Sequence, residues 1–343
     1  MPKLSVVIPA RNEEKVIRDC LLSLLAQDYP NLEIIAVNDR STDSTGAIMD
    51  QVAVESGGRV VVQHITELPD GWLGKCNALS EGATKATGEF ILFTDGDILF
   101  DPSTLERAMG HAVREDADLV VVLPTLITTS VMEQGMLLAF AQAFMIKCAP
   151  WRAMDRRSTA FLGVGAFNMI RASFYRRIGG HRFLKLQVVD DVGLGKIAKQ
   201  AGGRIRPIFG ENMVRVRWQD SLGGHIRGLE KNGFASMNYS VVKSVVGMLG
   251  LLAIYWWPLA GLFFGPLGPR IICGVTALAF WGVIAPATGR RGGYSPLAGL
   301  LTPVGGLFMV VALGLSMATT LRIGGVRWRD HFYPLRELRK YRL

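Results

Sequence analysis

Charge is almost missing from one long stretch of this chain. Between Val245 and Thr320 the only charged side chains are Arg270, Arg290 and Arg291. So few charges over such a length exclude a solvent-washed domain there, and the stretch reads as lipid-embedded. Cysteine is scarce too: Cys20, Cys76, Cys148 and Cys273 show no paired metal-ligand spacing. That argues against a zinc site and predicts no disulfide, with Cys273 packing as a small hydrophobe in its apolar run. The first residues, MPKLSVVIPARNEE, enter a strand without a basic region, apolar stretch and cleavage site. No secretory signal is therefore expected, and the globular part is expected on the cytoplasmic side of a cell membrane that the chain crosses several times. The formal net charge of +9 is accompanied by no zinc finger and no aromatic RNA-binding signature, so nucleic acid is not an expected partner. The excess suits anionic head groups instead, with Arg322, Arg327, Arg329, Arg336, Arg339, Lys340 and Arg342 in the tail.

What is present before the apolar stretch is an alternation of short apolar runs and helical periodicities. Strands are expected at Leu4 to Pro9, Leu32 to Asn38, Arg59 to Ile65, Phe90 to Thr94 and Leu119 to Leu123. Between them, helices are expected over Glu13 to Gln27, from about Thr42, over Lys75 to Thr87 and over Pro102 to Arg114. This order predicts an α/β fold with a doubly wound, mostly parallel sheet, whose ligands bind beyond the carboxyl ends of the strands. Further on, Val131 to Pro150 is apolar enough for a core helix or one lying in the membrane interface, and the interface is favoured. Asp190 to Gln200 reads as a helix with an acidic first turn, and Leu222 to Ser240 as a mixed basic and apolar helix. Candidate spans follow at about Val245 to Phe264, Ile271 to Ala287 and Leu297 to Thr320. Three crossings would put the Arg-rich tail outside, against the positive-inside rule, so either one segment is re-entrant or interfacial or the rule fails here. The expected organisation is a catalytic domain over 1–240, membrane helices over 241–320 and a basic tail over 321–343.

The candidate chemistry sits at strand ends. In FILFTDGDILFDPST (residues 90–104) an apolar strand runs into Asp95 and Asp97. Two carboxylates on one rim are a place where a hard divalent cation can be shared with a diphosphate. A plain turn rich in Asp and Gly would show the same letters. Asp39 ends an earlier strand, as a ligand reader or an Asx turn with Ser41. Asp190 and Asp191 open a later helix, whose dipole alone would favour them. Lys75 follows the loop Gly71-Trp72-Leu73-Gly74 and suits a phosphate contact or a solvated position, with Asn77 one residue beyond its neighbour Cys76.

Taken together, PARNEE (Pro9 to Glu14), VNDRSTDST (Val37 to Thr45), TDGD (Thr94 to Asp97) and VDD (Val189 to Asp191) resemble the family 2 glycosyltransferases of GT-A fold. The resemblance covers about the first 240 residues. More narrowly, DGWLGKCNAL (Asp70 to Leu79), RGLEKNGFA (Arg227 to Ala235) and GGVRWRDHFYP (Gly324 to Pro334) look like the membrane-bound hopanoid-associated and carotenoid glycosyltransferases, relatives of ceramide glucosyltransferase. The resemblance implies that Pro9, Arg11 and Glu13 border the nucleotide and that Asp39 reads its uracil edge. It implies that Asp97 holds Mg²⁺ or Mn²⁺, with Asp95 at the ribose or the metal, and that Lys75 and Asn77 lie on the donor side. Asp191 is then the base of an inverting displacement, with Asp190 in place of the more usual Glu. Gly163 and Gly165 fall on the acceptor-side strand, where they would permit close substrate approach, and Arg227 and Lys231 are candidates to hold the leaving diphosphate. The QxxRW motif of processive relatives does not occur in that form, since the chain has Arg217-Trp218-Gln219, and long-polysaccharide synthesis is disfavoured. The expected reaction moves one sugar from a nucleotide sugar, UDP-linked by preference, to a membrane lipid. The competing readings are a membrane-tethered nucleotidyltransferase, which normally wants a glycine-rich basic phosphate loop near the start, and a sugar-nucleotide sensor.

Overall fold

The computed structural model describes residues 1–291, 293–329 and 331–341. Arg342 of the basic tail and Asp330 of its motif lie outside the described residues. In chain order the first elements are β1 (Leu4–Ala10), α1 (Ile17–Leu25), β2 (Leu32–Asp39), α2 (Thr45–Glu55), β3 (Val60–Ile65), α3 (Gly74–Lys85), β4 (Phe90–Phe93), β5 (Ile98–Phe100), α4 (Thr104–Arg114) and β6 (Leu119–Leu123). Then come β7 (Thr125–Leu126), α5 (Val131–Cys148), α6 (Pro150–Ala153), β8 (Asn168–Arg171), α7 (Ala172–Arg177), α8 (Asp190–Gln200), β9 (Ile205–Phe209), β10 (Val214–Val216) and α9 (Leu222–Ser236). The remainder is helical, with α10 (Val241–Ala260), α11 (Leu267–Ala277), a π-helical stretch over Leu278–Ile284, α12 (Ala285–Arg291), α13 (Pro296–Leu300) and α14 (Thr302–Ile323). A hairpin of β11 (Gly325–Trp328) and β12 (His331–Pro334) and the short α15 (Leu335–Leu338) close the chain.

The chain divides into two compact units, one of residues 1–125 and 148–217, the other of residues 126–147 and the chain from 218 onward. The first is built on a seven-stranded sheet of order β3-β2-β1-β4-β8-β6-β9. Strands β1 to β4 pair in parallel, as do β6 and β9, while β8 runs antiparallel to both β4 and β6. The architecture is the expected mostly parallel α/β sheet. Its central strands are apolar on both faces because helices cover both, and Val6, Val7, Ile8, Leu92 and Val121 are fully buried. Strand order reverses between β1 and β4, so the carboxyl ends of β2, β1 and β4 open one crevice.

In the second unit, the helices approach closely through small residues. A Cβ on Gly305 would lie 2.6 Å from the Gly135 carbonyl oxygen, and one on Gly135 would lie 2.5 Å from Leu301 Cβ. Small residues let helix backbones meet where apolar burial gives little drive. Polar side chains tie the helices further: Tyr255 Oη donates to Gln142 at 2.8 Å, Trp281 Nε1 to Thr302 at 3.0 Å and Trp256 Nε1 to the Pro303 carbonyl at 3.1 Å. Among the described residues, three helical runs are long and apolar enough to cross a membrane: Val241–Ala260, Leu267–Arg290 and Thr302–Ile323. The expected interface helix is α5, and it packs within this unit.

Candidate functional site

The end of β4 gathers residues from four parts of the first unit. The Asp95 amide donates to the Gly165 carbonyl at 3.1 Å, and Thr94 Oγ1 donates to the Ala166 carbonyl at 2.8 Å, so the loop before β8 is laced to the strand end. That loop carries Asp191 in turn, because the Gly165 amide donates to Asp191 Oδ2 at 2.8 Å. Lys75, in the first turn of α3, reaches Asp95 Oδ1 at 2.7 Å and Asp190 Oδ1 at 3.5 Å. Residues far apart in sequence therefore share one ammonium group.

Electrostatics in this cluster follow from burial and crowding. Asp97 is pushed up to about 7 by burial first, then by the charges of Asp95 and Glu13. Asp190 is also pushed up to about 7, by burial and by its neighbour Asp191, with Lys75 pulling the other way. Burial likewise raises Asp191 above the usual carboxylate range. Burial works against the charge on Lys75, but Asp190, Asp95 and Asp191 hold its ammonium well above the ordinary lysine value. The site is a set of acids that, among the described residues, share the Lys75 ammonium.

Gly163 and Gly165 do not lie on a strand: both precede β8, which begins at Asn168. What comes close to them is the protein itself, because a Cβ on Gly163 would overlap the Asp191 carbonyl and one on Gly165 would lie 2.5 Å from Asp95 Oδ2. Their lack of side chains lets α8 and the end of β4 close on the loop. Asp39 is 3 % exposed at the end of β2, and its carboxylate takes both prongs of Arg40, at 2.7 and 3.0 Å. The Asx turn at this corner belongs to Asn38, whose Oδ1 accepts the Ser41 amide at 3.2 Å. β1, whose last residue but one is Pro9 opposite Val37, ends at Ala10. Arg11 follows it, and the Glu13 amide donates to Thr45 Oγ1 at 2.7 Å, which ties the start of α1 to α2. Asn77 is buried on α3. Arg227 and Lys231 are not part of this cluster: both lie on α9 in the second unit, where Lys231 Nζ stacks over the Trp328 ring at 4.6 Å.

One participant escapes sequence reasoning. His181 is 1 % exposed and lines a small cavity with Lys75, Asp95, Asn168, Asp190 and Asp191. The Tyr175 hydroxyl lies 2.8 Å from its Nδ1 and accepts its backbone amide at 3.1 Å. Burial and the nearby Lys75 hold the imidazole down at about 3, so it is neutral. A lone histidine after Gly179-Gly180 carries no pattern that would announce this. A larger cavity of about 360 Å³, lined by Leu25, Tyr29, Leu32 and Arg59 among others, contains none of the candidate residues.

Comparison with known proteins bears on the family and the fold. The model of the family described as glycosyl transferase family 2 matches residues 5–179. A 4,4'-diaponeurosporenoate glycosyltransferase of Staphylococcus aureus strain USA300 is 28% identical over 339 residues, 97% of this chain and 88% of that protein. The version from strain MRSA252 aligns at 28% over 194 residues, 56% of this chain and 50% of its own length. Among solved structures, a mannosyltransferase from Pyrobaculum calidifontis, in complex with GDP-Man and Mn²⁺, superposes with a TM-score of 0.56 at 19% identity, covering 96% of this chain and 88% of that one. That likeness speaks for the fold, which is GT-A. With the family model spanning the sheet from β1 through β8, the chain belongs to glycosyl transferase family 2.

Proposed function

We propose that this glycosyltransferase moves one sugar from a nucleotide sugar, UDP-linked by preference, to a membrane lipid acceptor with inversion at the anomeric carbon. The observation that carries the reading is the bridge from Asp95 through Lys75 to Asp190, with Asp191 held beside it by the Gly165 amide. It joins a donor-side carboxylate to a base-side pair within one cluster. The catalytic part lies within residues 1–240, on the cytoplasmic face, and the helices of 241–320 anchor it.

The acids suit a divalent cation. Asp97 is half-buried against the charges of Asp95 and Glu13, a crowding that a cation would relieve. Among the described residues no group of three or more His, Cys, Asp or Glu side chains is arranged to enclose a metal ion. The protein would thus supply few ligands and leave the rest to phosphate and water, as is usual for Mg²⁺ and for Mn²⁺ on oxygen ligands. Asp97 would hold the ion, and Asp95, already engaged by Lys75, would support the ribose or the metal. When bound, the ion would neutralise the diphosphate as charge develops on it.

The chain's own groups do the remaining work. Asp191 takes the proton of the acceptor hydroxyl as its oxygen bonds to the anomeric carbon, while the bond from that carbon to the diphosphate breaks. Asp190 is the weaker candidate for base because its carboxylate pairs with Lys75. Lys75 lies between the two halves and can follow the negative charge to the leaving group. Asp39, Pro9, Arg11, Glu13 and Asn77 line the nucleotide side, and opening of the Arg40 pair would free Asp39 to read the base. Incubating the purified protein with labelled UDP-sugars, Mn²⁺ and membrane lipid extract should release UDP together with a lipid-soluble labelled product. No turnover with any nucleotide-sugar donor would contradict the reading.

A further inference from the structure

The stretch Pro150-Trp151-Arg152-Ala153-Met154-Asp155-Arg156-Arg157 plays no part in the chemistry above, yet its pattern is specific. Ala149 adopts a left-handed backbone, φ 42°, and breaks the chain sharply between α5 and α6. In the single turn that follows, Pro150 and Ala153, spaced i and i+3, are buried, while Trp151 and Met154, also spaced i and i+3, are 55% and 46% exposed. The turn is firmly built: Lys199 Nζ of α8 donates to the carbonyls of Ala153 and Asp155 at 2.8 and 2.7 Å. Those bonds satisfy carbonyls that a helix end leaves open. Asp155 spends a carboxylate oxygen on the Arg157 amide at 2.9 Å. Arg152, Arg156 and Arg157, in the same eight-residue stretch as the two apolar side chains, are exposed.

Water alone gives no reason to hold a tryptophan and a methionine outward on an anchored turn. A lipid surface does: indole rings favour the head-group layer, and arginines beside them meet anionic phosphates. The turn also follows directly on α5, an apolar helix of 18 residues that ends at Cys148. We propose that this turn is a membrane-docking surface of the first unit, inserting Trp151 and Met154 into an anionic leaflet with Arg152, Arg156 and Arg157 on the phosphates. The occupant is the lipid surface itself, and the contact is additional to any spanning helix.

The test uses the full chain reconstituted in phosphatidylcholine vesicles with and without phosphatidylglycerol. An environment-sensitive fluorophore is placed at Trp151→Cys or, for comparison, at Val54→Cys, which is 82% exposed on α2 of the same unit. Both are made in a Cys273→Ser background, the other cysteines being buried. The label at 151 should emit to the blue of the label at 54 and be quenched by lipids spin-labelled near the head group. Its quenching should increase with phosphatidylglycerol, and the increase should be lost in the Arg152→Gln, Arg156→Gln, Arg157→Gln variant and at 1 M salt, where screening shortens to about 3 Å. Equal quenching at 151 and 54 would overturn the proposal, as would an anionic increment that survives removal of the arginines. Met154→Cys supplies a second reporter should Trp151→Cys fail to fold.

Discussion

The two units bury polar groups in opposite ways. In the first, ionisable side chains crowd together, Asp190 buried and Asp97 and Asp191 half-buried, and all three are raised above the ordinary carboxylate range around one lysine. In the second, the buried polar side chains among the described residues are mostly neutral, and some close helix contacts, as Ser316 does by accepting the Phe234 amide at 2.8 Å. The exception there is Glu133 with His225, 3.0 Å apart, and even this pair has a structural reason. Glu133 accepts the Thr129 amide at 2.8 Å and so caps the start of α5. Crowded like charges cost stability and are kept where chemistry uses them, whereas satisfied neutral pairs hold helices together.

That contrast can be broken by substitution. Asp97→Asn should lower sugar transfer at least about a hundredfold, the size of losing one transition-state electrostatic contact, while leaving the thermal midpoint unchanged or higher. Glu133→Ala should do the reverse. It strands buried His225 and opens the α5 cap, and should cost about 3 kcal/mol of stability in thermal unfolding, with turnover per folded molecule retained.

Lys75→Met should weaken donor binding by roughly tenfold to a hundredfold in titration calorimetry, the scale of a charged hydrogen bond. It should also move the pH profile. Asp191 must be ionised to act as base, and burial raises its carboxyl, so the acid limb of activity should lie above the ordinary carboxylate range. Lys75 opposes the rise of both carboxylates. Its removal should therefore shift the acid limb to higher pH. The smallest effect is expected from Ser316→Ala, which strands the Phe234 amide and should cost about 1 kcal/mol.

Much of this was legible before the structure because strand ends are local. The apolar runs at Leu4, Leu32, Phe90 and Leu119 announce strands, and the aspartates at the ends of two of them, Asp39 and Asp95, fall on the rim that parallel strands share. Lys75 was visible as a lysine after a glycine loop, but its partners were not, since Asp95 and Asp190 reach it only through the fold. Gly163 looked like room for substrate because sequence cannot show that the Asp191 carbonyl fills that room. Strand β8, four residues long and antiparallel, has no periodicity to read. The affiliation of α5 with the apolar helices depends on Gly135 meeting Gly305, a contact between segments far apart in the chain. The capture of Asp39 by Arg40 turns on a left-handed backbone at Arg40, φ 55°, which a non-glycine residue rarely signals.

The central claim is that the cluster at the end of β4 performs sugar transfer with Asp191 as its base, and Asp191→Asn tests it most directly. Donor binding by calorimetry and formation of labelled lipid product should be measured on the same preparation. The variant should bind UDP as the native protein does and lose roughly 10² to 10⁴-fold in product formation. Native turnover with native UDP binding would contradict the claim.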